Sequence, residues 1–86
     1  MKEYEKILKA FANKRRLEIV KYLKGKKEAT VGDIAEHIKL SFKSTSNHLL
    51  VLFSADILEK EQRNTSVFYS LAPNCKPLIR AVIAIL

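Results

Sequence analysis

Only Lys39 and Leu40 stand between two segments that each begin with a strong helix-start signal. The first opens at Thr30, with Asp33 three residues on, a shortened form of the capping box. Behind it Val31, Ile34, Ala35 and Ile38 recur at i, i+3, i+4 and i+7, the single apolar face of a helix of about two turns. The second segment opens at Ser41, another favoured N-cap, and predicts a helix from about Phe42 to Ser54. Two short helices joined by so short a turn have helix-turn-helix spacing.

The second of these helices is divided along its length. Leu40–His48 holds seven polar residues in nine, whereas the part behind it is almost wholly apolar. Ser and Thr are poor helix formers, so their use here needs a reason. In a helix-turn-helix the second helix enters the DNA major groove by its N-terminal end, while its back half packs on the core. Leu49, Leu52 and Phe53 are the expected anchors. Lys43, Ser44, Ser46, Asn47 and His48 surround the leading end, with Ser41 as the cap. Short hydroxyl side chains let the helix backbone approach DNA and donate to phosphates. Lys43 reaches guanine or phosphate, and Asn47 has the donor and acceptor to pair bidentately with adenine.

The flanking segments complete a fold. Tyr4, Ile7, Leu8 and Phe11 recur at helical spacing, which predicts a first helix over about Lys2–Ala12. Asn13 is the expected N-cap of a second, carrying Leu17, Ile19, Val20, Tyr22 and Leu23. Gly25 after Lys21 and Lys24 reads as its left-handed C-terminal cap, with Gly25–Ala29 a short loop. Beyond the recognition helix, Asp56 is expected in the left-handed conformation that Gly usually takes. The period then changes. Ile57–Gln62 and Val67–Leu71 read as two strands, with Arg63–Ser66 a basic, polar turn. Pro77 opens a last helix, with Leu78, Val82, Ile83, Ile85 and Leu86 as its apolar residues. The predicted fold is mainly α with a small β-hairpin, in the order helix, helix, helix, helix, hairpin, helix: a winged helix-turn-helix in one domain over residues 1–86.

Charge fits that reading. The 86-residue chain carries a formal +7, which favours a polyanionic partner, nucleic acid first and an anionic membrane second. Its longest apolar runs, Leu49–Phe53 and Ala81–Leu86, are far short of a membrane span. The start of the chain is charged throughout, so no secretion signal is expected. A single Cys excludes an internal disulfide and fits a reducing cytoplasm. The apolar last helix, with Tyr4, Ile7, Leu8 and Phe11 of the first as a complementary surface, leads us to expect a homodimer.

The segments Phe11–Leu23, Thr30–Leu52 and Ser54–Ala72 together resemble the ArsR-type winged-helix repressors. The likeness rests on Asn13 with Arg16 and Leu17, Ile34-Ala35 before the turn, Leu40-Ser41, Ser46 with His48-Leu49, and Leu52. It implies a homodimeric transcriptional repressor of double-stranded DNA, often released by a ligand. Three residues depart from the family pattern. Phe42 stands where a polar residue is usual, Leu50 where Lys or Arg is common, and Asp56 where Gly is usual. Many members bind metal through a Cys-Val-Cys motif, and the matching positions here are Thr30, Val31 and Gly32, with no thiolate. The last helix offers only Cys75, Lys76 and Arg80 as ligand-like groups, and Asp33, Glu36 and His37 read more simply as a solvated helix face. No metal or other cofactor is therefore expected. No catalytic set is visible: the two His lie on different helices, and no glycine-rich phosphate loop is present.

Arg63 at the wing is expected on DNA backbone or minor groove, and Arg16 on a phosphate or a structural carboxylate. A second reading stays open, in which the winged helix is an interaction module that meets protein. The wing discriminates: a DNA reader wants basic tips, whereas a protein-binding wing wants an exposed apolar patch.

Overall fold

The computed structural model describes all residues, Met1–Leu86. Five helices and three strands follow in the order α1 (Lys2–Phe11), α2 (Lys14–Lys26), β1 (Glu28–Thr30), α3 (Val31–Ile38), α4 (Phe42–Ser54), β2 (Leu58–Arg63), β3 (Ser66–Leu71) and α5 (Pro77–Ile85). This is the winged helix-turn-helix, with one strand more than its hairpin alone. β1 pairs antiparallel with β3, opposing Glu28 to Ser70, Ala29 to Tyr69 and Thr30 to Phe68, so the sheet order is β1-β3-β2.

That pairing corrects the expected loop at Gly25–Ala29. Gly25 lies inside α2, which runs on to Lys26. Lys27 ends it at φ 78°, donating its backbone N–H to Leu23 O at 2.9 Å. A single edge pairing of three residues sets this boundary. Ala29, 2% exposed, points into the core from the middle of β1.

The other caps follow the chemistry of their residues. Asn13 accepts from the Arg16 N–H, Thr30 from the Asp33 N–H and Ser41 from the Ser44 N–H. Asp56 takes φ 62° just after α4, and Asn64 takes φ 56° at the hairpin turn. The strand register opposes Arg63 to Ser66, leaving a two-residue loop whose first residue needs a positive φ. Arg63 therefore belongs to β2 and lies one residue short of the wing tip.

The core gathers every helix. Ile7 and Phe11 from α1, Ile19 and Leu23 from α2, Ile34 and Ile38 from α3, and Leu49 and Leu52 from α4 meet Ile57, Leu58 and Ile79. This revises the expected dimer surface. Ile7 and Phe11 are buried in the chain's own core, so neither is available to a partner, while Tyr4 and Leu8 on the same helix are exposed. Likewise α5 is anchored by Ile79, which is fully buried, and Leu78, Val82, Ile83 and Leu86 lean on the core half-buried. Ile85 is the large apolar residue of α5 that stands free, 83% exposed. No helix is long and apolar enough to cross a membrane.

Candidate nucleic-acid interface

The turn before α4 is closed from within. Lys39 adopts the left-handed conformation at φ 55°. Leu40 N–H donates to Ala35 O at 3.0 Å and Lys39 N–H to Glu36 O at 3.4 Å, the paired bonds of a Schellman closure. Leu40 then packs on the core. Ser41 Oγ accepts from the Ser44 N–H at 3.1 Å and starts α4. The direction of α4 is thus fixed by three consecutive residues, Lys39, Leu40 and Ser41.

Around α4 the residues sort by side. Thr45, Leu49 and Leu52, at i, i+4 and i+7, are fully buried. Opposite them Lys43, Asn47, Leu50 and Ser54 form an exposed outer stripe. Ser44, Ser46 and His48 are half-buried on the flanks. The expected anchors Leu49 and Leu52 hold, and Phe53 lies half-buried beneath the wing, with Lys60 Nζ 4.5 Å from its ring centre. Thr45 was not separable in sequence from its polar neighbours. It sits in the core with its hydroxyl unpaired. From Lys39 to Ala55 the chain has no acidic residue, so nothing on the turn or on α4 repels an anion.

Two arginines at the start of α2 hold the neighbouring helix ends. Arg15 donates from Nη1 to Ile38 O at 2.5 Å, closing the last turn of α3, and pairs with Glu18 at 3.3 Å. Arg16 donates from Nε to Ala10 O at 2.6 Å and from Nη2 to Lys9 O at 3.1 Å, so it caps the C-terminal end of α1. Its Nη1 lies 3.2 Å from His48 Nδ1. Backbone carbonyls and a histidine thus take the place of the structural carboxylate expected as one partner of Arg16. They also fix the tautomer of His48: with an arginine N–H facing Nδ1, the ring accepts there and carries its proton on Nε2. Burial first, then the positive charges of Arg16 and Arg15, push the His48 pKa below the ordinary histidine value.

The wing arginine is also engaged. Arg63 Nη2 pairs with Glu28 Oε2 at 2.6 Å, and its Nε lies 3.3 Å from Glu61 Oε1. Its guanidinium is stacked 3.9 Å from the centre of the Phe68 ring. Phe68 is opposed on one side by Thr30 and on the other by Glu61, so the side chain spans the sheet face from β2 to β1. Nothing in the sequence links Glu28 to Arg63; the β1-β3 pairing does. The remaining residues of β2 after Leu58 are polar and exposed, so that strand presents no apolar patch.

On the far side of α3, the His37 ring stacks on Tyr22 at 4.1 Å between centroids. No three His, Cys, Asp or Glu side chains come close enough together to hold a metal ion. Cys75 is half-buried against the core.

Residues 13–60, from the N-cap of α2 into β2, match the model of the bacterial regulatory protein family arsR. The chain is 37% identical over 65 residues to the transcriptional repressor SdpR of Bacillus subtilis, an alignment covering 76% of this chain and 71% of that one. Its fold superposes on that of reduced HlyU from Vibrio cholerae with a TM-score of 0.83 at 30% identity, covering 99% of this chain and 85% of the other. The homodimeric winged helix-turn-helix DNA-binding domain Mb0332 of Mycobacterium bovis superposes equally well, with a TM-score of 0.83, 26% identity and coverage of 98% and 74%. On its sequence, its turn geometry and its fold, the chain belongs to the arsR family of bacterial regulatory proteins.

Proposed function

We propose that two copies of the chain bind a roughly palindromic duplex operator in the cytoplasm and repress transcription from it. The observation that carries this reading is the outer stripe of α4. Lys43 and Asn47 stand exposed on a helix that carries no acidic residue, held at a fixed angle by the Lys39–Ser41 turn. A dimer doubles the formal +7 to +14, a field suited to a polyanion. Its two copies of α4 enter successive major grooves about 34 Å apart. Lys43, Ser44 and Asn47 read bases or the nearest phosphates. Ser41, Ser46 and His48 hold the helix in register. Arg16 acts from behind, through His48. Arg63 reaches the DNA backbone by exchanging Glu28 for a phosphate, one anion for another.

The dimer forms through the exposed remainder of the apolar surface: Tyr4 and Leu8 of α1 with Ile85 of α5, flanked by the half-buried Leu78, Val82, Ile83 and Leu86. The Mycobacterium bovis neighbour is a homodimer, which supports pairing of two copies here. The competing reading, a protein-interaction module, draws on the exposure of Leu50 (58%) and Val51 (40%) on α4. The polar wing strand weighs against it.

Selection of bound duplexes from a random pool tests the proposal and returns the half-site and its spacing. On the selected site Asn47→Ala is expected to cost about 1–3 kcal/mol and relax preference at one base position. If Asn47→Ala and Lys43→Ala both leave affinity and preference unchanged, α4 does not face DNA and the protein-interaction reading replaces this one.

A further inference from the structure

Phe42 is the first residue of α4 and one of the most exposed large apolar side chains of the chain, at 63%. It is not part of the core: at i and i+7 it shares a side of the helix with Leu49, but it stands about two turns ahead of that residue, beyond the core's edge. The ring lines a cleft together with Thr30–Gly32 at the start of α3 and Thr65–Val67 at the wing. It therefore occupies the gap between recognition helix and wing, one residue from Lys43. The backbone N–H groups of Phe42 and Lys43 have no acceptor within the chain. The same helix end thus offers an apolar ring beside two free donors and a cation. A protein partner would find only a small apolar surface there, the ring with Val31 and Val67 at the cleft: Leu50 lies eight residues further along α4, about 12 Å away. A DNA groove offers the matching pair, phosphates for the donors and a base edge for the ring.

Resting on the DNA-binding reading above, we propose that Phe42 selects thymine, by contact with its C5-methyl group in the major groove. The argument is one of exclusion. Among the groups that base pairs present there, the thymine methyl is the apolar one. Cytosine puts an amino donor at the matching edge, and guanine two acceptors. A phenyl ring over either strips water from a polar group and returns no hydrogen bond. Over thymine it buries a methyl group instead. The half-site therefore contains a thymine next to the bases read by Lys43 and Asn47.

The test starts from the duplex selected with the wild-type chain. Each thymine is replaced in turn by deoxyuridine, which keeps base pairing and removes only the methyl group. Affinity is read by fluorescence anisotropy. Wild type is expected to lose about four-fold at one thymine in each half-site, the value of one buried methyl group. Phe42→Ala, a substitution at an exposed position whose folding is checked by circular dichroism, is expected to bind the thymine and uracil duplexes equally. Asn47→Ala is expected to keep the four-fold difference while losing preference at its own base. If no thymine shows a methyl effect, or if the effect persists in Phe42→Ala, the proposal is overturned and DNA binding stands. If the random pool yields no enriched duplex, the DNA-binding reading falls and this proposal with it.

Discussion

Arg16 ties three helices together with one side chain, and its removal should be costly in a way its surface position does not suggest. Ala10 O lies in the last turn of α1, on a residue only 1% exposed, and no backbone N–H reaches it. Its sole partner is Arg16 Nε at 2.6 Å. Arg16→Ala leaves that carbonyl unpaired, at about 1–3 kcal/mol for a buried acceptor. The bonds to Lys9 O and His48 Nδ1 are more accessible, so water replaces much of what they contribute. The total expected loss is about 2–3 kcal/mol, a large share of the stability of a small domain. With a urea slope of about 1 kcal/mol/M, the unfolding midpoint should fall by about 2–3 M. Circular dichroism under urea measures this, at one protein concentration because a dimer's stability depends on it. Arg16→Lys should recover less than half of the loss, since one ammonium cannot reproduce the fork that reaches Ala10 O and Lys9 O together. His48→Ala should cost under about 1 kcal/mol and couple to Arg16→Ala in a double-mutant cycle. If Arg16→Ala stays within about 0.5 kcal/mol of wild type, water satisfies Ala10 O and the cap of α1 is not what orders this corner.

Thr45→Val removes a fully buried, unpaired hydroxyl and keeps the shape, so it should raise stability by about 1 kcal/mol in the same urea assay; a loss would mean that the hydroxyl finds an acceptor in the folded protein. Stability should also depend on pH through His48. Its folded pKa lies below the ordinary 6.5, so the unfolded chain binds the proton more readily; its contribution is full above about pH 6.5 and is lost as pH falls from there through the depressed folded value. Urea midpoints from about pH 7.5 down to about pH 5 should show that fall, and His48→Gln should flatten it.

What the sequence disclosed and what it withheld divide along a physical line. The helix-turn-helix was readable because its determinants are local. Thr30 and Ser41 cap the helix that directly follows each of them, and Val31, Ile34, Ala35 and Ile38 mark a face by spacing alone. Asp56 was readable for the same reason, since one residue had to take a positive φ between α4 and β2. Gly25 misled because the end of α2 is set by the pairing of Glu28 with Ser70, a partner far along the chain. Ile7 and Phe11 misled in another way. An apolar stripe at helical spacing says that a face is covered, not whether the cover is the chain's own core or a second copy. Tyr4 and Leu8 fall on the outer part of the same stripe and stay exposed.

The long polar side chains were the least legible part of the candidate site, and they bear most directly on how it works. Arg63 reads as a cation for DNA backbone or minor groove and Arg16 as one for a phosphate or a structural carboxylate, because net charge and proximity to the motif are all that a sequence offers. In the structure each is already matched, Arg16 to the carbonyl end of α1 and to His48, Arg63 to Glu28 and Glu61. The two engagements differ in consequence. Arg16 faces one buried acceptor, Ala10 O, that has no other partner, so it stays in place and transmits the position of α1 and α2 to α4. Arg63 is held by carboxylates that are themselves about half-exposed or more, at 47% for Glu28 and 71% for Glu61, and water can take over both. A phosphate arriving at the wing therefore competes with solvated carboxylates and not with a buried pair, whose separation would cost several kcal/mol. The exposed ion pair keeps the guanidinium aligned over Phe68 at little energetic cost to its release, so the wing can carry an acidic strand and still present its arginine to an anion.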